Sequence, residues 1–90
     1  MDPRVRKAVM SKIDEAVTSA GEIRQIQSSL KAVPGSQNAD FAFGIAVGRI
    51  YNSFHYQTRR IIGRNATEEE FSEFLQILSK NASRIREAFQ

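Results

Sequence analysis

The chain has no cysteine and no tryptophan, only one histidine, and two prolines among its 90 residues. Without cysteine there is no disulfide framework, no thiolate chemistry and no Cys-based zinc site, which suits a reducing compartment. The single histidine, His55, leaves any metal site short of ligands, because the HxxxH and ExxH pairs that helical bundles use are missing. No apolar run approaches the ~20 residues that span a bilayer. The opening stretch, Met1 to Ala16, carries charges throughout, where a secretory signal needs an uninterrupted apolar segment. The expectation is a cytoplasmic protein with no membrane partner, in which the glycosylation triplets at Asn65 and Asn81 are chance matches.

Catalytic motifs are equally scarce. No serine sits in a nucleophile elbow, and the stretch Val33 to Gln37 (VPGSQ) lacks the lysine and the glycine spacing of a phosphate loop. Glu68, Glu69 and Glu70 point in different directions from an exposed first turn, whereas carboxylates gain catalytic power through burial or like-charge pairing. The expectation is a chain that is not an enzyme and holds no cofactor.

What is present is an ordinary globular mixture, 41% apolar and 26% charged, enough for one domain that buries roughly 60 to 65% of its unfolded surface. The net charge of +3 is compatible with an acidic partner and does not require one. Pro34 and Gly35 make the strongest break, and Gly63 to Thr67 the second. No alternating apolar run suggests a sheet.

The spacing predicts three helices, over about residues 3–32, 38–62 and 67–89. Asp2 and Pro3 suit the start of the first. Val5, Val9, Ile13, Ala16, Ala20, Ile23 and Leu30 line one stripe, opposite Lys7, Ser11, Asp14, Thr18 and Gln25; Gly21 is a point of possible bending. The third helix opens with a Thr67–Glu70 capping box, and Ala66 against Phe71 makes a small staple. Phe71, Phe74, Leu75, Leu78, Ala82, Ile85 and Phe89 form its stripe.

In the middle helix, Phe43, Val47, Ile50, Phe54 and Ile61 form the expected core line. A second apolar face carries Phe41, Ala42 and Ile45, with Gly44 and Gly48 alongside. A helix that is apolar on both sides is usually covered on both sides, and two neighbours cannot cover it. The predicted architecture is an all-α, up-down-up antiparallel three-helix bundle that dimerises into a larger one. Phe41, Gly44, Ile45, Gly48 and Asn52 are the candidate self-association residues, with another protein's helix as the other occupant of the same groove. Gly44 and Gly48 form a GxxxG pair that lets a second backbone come close.

The alternative function is nucleic-acid binding. From Phe41 to Thr67 there are four arginines and no acid, interleaved with Tyr51, Phe54 and Tyr56. Arg49, Tyr56, Arg59 and Arg60, joined by Arg4, Arg6 and Lys7 near the N-terminus, are the candidate contacts. A local explanation competes with it: Arg59, Arg60 and Arg64 lie at the negative end of the middle helix and face the glutamates that open the next. Against a helix-turn-helix reader, the helix that would enter the groove begins with three glutamates.

The stretch IIGRNATEEEFSEFLQIL, residues 61–78, resembles the linkers between calcium-binding hands in the calmodulin family, where a glycine, a polar turn and a capped acidic helix recur. The resemblance covers about a fifth of the chain. With no DxDxDG loop beside it, it implies a helix–turn–helix joint and no calcium site.

Overall fold

In the computed structural model, which describes residues 1–90, four helices follow one another: α1 (Pro3–Thr18), α2 (Gly21–Ser29), α3 (Ala39–Ile62) and α4 (Glu68–Glu87). The all-helical expectation holds. α3 packs against each of the other three helices, and α1 also meets α4. The result is an elongated body of 41 × 22 × 20 Å.

Three of the four helices open on a side-chain cap; α2, which follows Ala20, has none. The Asp2 carboxylate accepts from the Arg4 amide at 2.7 Å and opens α1, and Asn38 accepts from the Phe41 amide at 2.9 Å to open α3. In the capping box of α4, Thr67 Oγ1 accepts from the Glu70 amide at 3.2 Å while Glu70 Oε1 accepts from the Thr67 amide at 2.8 Å. Gly63 ends α3 in the left-handed conformation, φ 81°, where any side chain would be strained.

The single long helix expected over 3–32 is two helices. Thr18 Oγ1 donates back to the Asp14 carbonyl at 2.9 Å, a bond that competes with the helical ladder. Ser19 then leaves helical geometry at φ −121°, ψ 48°. The apolar stripe survives the break, since Val5, Val9, Ile13, Ala16, Ala20 and Ile23 are all buried. Helix ends at Ser29, and the α2–α3 connection is a hydrogen-bonded unit around buried Ser36. Its hydroxyl donates to the Leu30 carbonyl at 2.6 Å, and Gln27 Nε2 donates to the Ser36 and Asn38 carbonyls at 2.9 and 3.0 Å.

The core line of α3 also differs from expectation. The buried positions are Ala42, Ala46, Ile50, Phe54 and Thr58, spaced by four, while Phe43, Val47 and Ile61 are only half-buried. A spacing of four traces a ridge inclined by roughly 26° to the helix axis, the geometry of helices that cross rather than run in strict parallel. Small residues at 42 and 46 let a neighbour approach. Ala42, placed by the sequence reading on the outer face, is thus an inner residue.

Phe54 and Phe74 stack at the centre, ring centroids 4.6 Å apart. On α4 the buried side chains are Phe74, Ile77 and Ile85. The other edge of its stripe turns outward: Phe71, Leu78 and Ala82 are half-buried and Leu75 is 45% exposed.

Long-range ion pairs record which ends meet. The Met1 ammonium lies 2.7 Å from Glu73, and Arg84 2.7 Å from Asp14. Arg86, in the last turn of α4, lies 2.9 Å from Asp40 in the first turn of α3.

Candidate functional site

The outer face of α3 is left open by the other helices. A methyl group built on Gly44 or Gly48 would meet nothing within 4 Å. Two glycines inside a helix cost about 2 kcal/mol of helix propensity relative to alanine, and no contact within the chain offsets that. Of the remaining self-association candidates, Asn52 is exposed, Phe41 is half-buried, and Ile45 is half-buried with its side chain packed on the core. The open part of the face is therefore narrower than the sequence suggested and centres on the glycines.

Beside them stands an aromatic group drawn from α3 and α4. Tyr51, 47% exposed, meets His55 edge-on at 4.8 Å between ring centroids, and His55 lies over Phe71 of α4 at 6.1 Å. Tyr51, His55, Ala66, Thr67, Glu68 and Phe71 line an open cavity of about 320 Å³. A second hollow of about 470 Å³ adjoins it through Tyr51, His55 and Ala66 and adds Asn52, Arg59 and Asn65. At the far end of the α3–α4 seam, Asp40, Phe43, Ala82, Ser83 and Arg86 line a third, of about 290 Å³. The seam therefore runs from an aromatic hollow at one end to an ion pair at the other. Between them on α3 lies the bare glycine backbone.

The basic candidates do not gather into one surface. Arg49 is paired with Glu15 at 3.3 Å, and Arg4 with Asp2 at 3.0 Å. Hydrogen bonding to Arg4 holds the Asp2 carboxyl below its ordinary value and raises the guanidinium in turn. Arg60 Nε donates to Gln57 Oε1 at 3.2 Å. Arg59, Arg60, Arg6 and Lys7 have no ion-pair partner. Only Arg49 and Tyr56 share a hollow, of about 290 Å³, with Lys12, Asn52, Ser53 and Gln57.

Of the arginines expected to face the glutamates that open α4, Arg64 alone does so. It donates to both oxygens of Glu70, at 2.7 and 3.4 Å. Arg64 and then the Thr67 amide hold the Glu70 carboxyl down at about 2. The joint matches the linker-like turn expected from residues 61–78, as a helix joint.

No three His, Cys, Asp or Glu side chains gather to form a metal site, and no helix is long and apolar enough to cross a membrane. These features define a small all-helical protein with one open, glycine-centred helix face. Compared with protein-family models, curated proteins and solved structures, the chain matches none.

Proposed function

We propose that this chain is a non-enzymatic helical interaction module that self-associates through the outer face of α3. The paired ends of α1, α3 and α4 support reading these three helices as an up-down-up bundle, with α2 continuing α1 along the flank of α3. The observation that carries the proposal is the pair Gly44 and Gly48: exposed, with nothing within 4 Å of where a side chain would begin, and followed one turn on by exposed Tyr51. Glycines in a long helix are costly, and close approach of a second helix is the return that such a pair offers. Tyrosine side chains held in place on such a face are common anchors of an interface.

A nucleic-acid role has weaker support, because Arg4 and Arg49 are already paired with carboxylates and the free cations are dispersed. Light scattering after gel filtration tests the proposal. The native chain is expected to elute with twice the 10.2 kDa mass of one chain at tens of micromolar, and Gly48→Glu, which places a charged side chain on the open face, is expected to give a monomer. A native monomer, or a dimer indifferent to Gly48→Glu, refutes it.

A further inference from the structure

The outward stripe of α3 reads Asp40, Gly44, Gly48, Tyr51, His55, Arg59, with spacings of 4, 4, 3, 4 and 4. At 100° per residue these six positions fall within about 100° of arc, which also holds Phe41, Ile62 and the buried Thr58, and none of the six is itself buried. The spacing is the same read in either direction. The chemistry is complementary end for end: an acid answers a base, and two glycines answer two rings.

Resting on the self-association reading above, we infer that the occupant of this face is a second copy of the chain, with α3 antiparallel to its partner about a twofold axis level with the midpoint between positions 49 and 50. In this register Asp40 faces Arg59 of the other copy, Gly44 faces His55, and Gly48 faces Tyr51, each contact occurring twice. A twofold contact is isologous, so one face must complement itself, and this stripe does. The six positions cover about 28 Å of helix at 1.5 Å per residue.

Three observations support the assignment. Tyr51 and His55 are held by one another and by Phe71, so the two rings that enter the glycine gaps are already ordered, which lowers the cost of association. Arg59 has no ion-pair partner within its own chain. Asp40 is engaged by Arg86 through Oδ1 but its side chain remains 84% exposed, which leaves room for a second guanidinium. A parallel arrangement would instead place Asp40 against Asp40, Arg59 against Arg59, and ring against ring.

The test is a charge reversal measured by sedimentation equilibrium, with circular dichroism to verify that each variant is folded. D40R alone sets two pairs of arginines against each other, and R59D alone sets two pairs of aspartates. Each is expected to weaken the dimer by about 10- to 100-fold. Mixed in equal amounts, the two variants regain both attractive pairs and are expected to form a heterodimer within about threefold of native affinity. If D40R does not fold, D40N and R59Q serve instead, and each is expected to weaken the dimer by about threefold. A native chain that stays monomeric overturns the self-association reading itself. A native dimer that tolerates these variants, or variants that show no preference for each other when mixed, overturns the antiparallel register and leaves self-association standing.

Discussion

Replacing Gly44 and Gly48 by alanine should move folding and association in opposite directions. Nothing lies within 4 Å of a methyl group at either position, and neither glycine has a positive φ, so alanine fits the isolated chain without strain. Each exposed helical glycine-to-alanine change is worth about 1 kcal/mol, so the double variant should gain about 2 kcal/mol. For a domain of this size 1 kcal/mol shifts the melting temperature by roughly 4–8 °C, and the double variant should melt about 8–16 °C higher at concentrations where the chain is monomeric. The same two methyl groups hold a second backbone away, and the dimer constant should weaken by about tenfold, equivalent to ~1.4 kcal/mol. Thermal melts by circular dichroism at low micromolar concentration give the first quantity and sedimentation equilibrium gives the second. A double variant that melts lower as a monomer would show that the face is not open. One that associates as well as the native chain would show that the glycines are not the contact.

Other perturbations separate the local devices from the core. Phe54→Ala removes the ring stacked on Phe74 and should destabilise the fold by about 3–5 kcal/mol in urea unfolding, whereas a loss below ~1 kcal/mol would place the core elsewhere. Thr67→Ala removes one half of the capping box and should cost about 1 kcal/mol; an unchanged midpoint would refute the role of the cap. Folding holds the Glu70 carboxyl at about 2, below its ordinary ~4.3. Its charged form is therefore favoured in the native state, and its contribution is complete above the ordinary value and is lost as pH falls toward about 2. The stability difference between native chain and Glu70→Gln should accordingly shrink as pH is lowered from about 5 to 2; a difference that stays constant contradicts the Arg64–Glu70 pairing. Labelled duplex DNA and RNA should show no binding at ~150 mM salt, read by fluorescence anisotropy, and binding that persists there would revive the nucleic-acid reading.

What could be read from the sequence was what neighbouring residues decide. The caps at Asp2 and Thr67, the stripe from Val5 to Ile23 and the joint at Gly63 depend on contacts within a few positions, and each lies where the residue types put it. The break at Ser19 was less visible, because it depends on Thr18 turning its hydroxyl back to the Asp14 carbonyl rather than on a proline or a positive-φ glycine. The buried ridge of α3 is set by packing against three other helices, which makes Ala42 and Ala46 core residues and leaves the larger Phe43 and Val47 half-buried on the flank. Ser36 is buried through bonds to segments six and more residues away, beyond the reach of periodicity. For the candidate site, the open glycines could be found from their GxxxG spacing, but the apolar surplus expected beside them was smaller, because Ala42 is buried and Ile45 packs on the core. The exposure of Leu75 could not be found, because it follows from α4 meeting the bundle with only one edge of its stripe.

If a second copy covers the bare backbone at Gly44 and Gly48, the mass of the chain in solution must depend on its concentration. Sedimentation velocity of the native chain from about 1 to 200 μM tests it most directly, a range that brackets the affinities of modest interfaces. The expected record is a concentration-dependent shift from one species to another of twice the 10.2 kDa mass, abolished in Gly48→Glu. A single 10.2 kDa species across the whole range would contradict it.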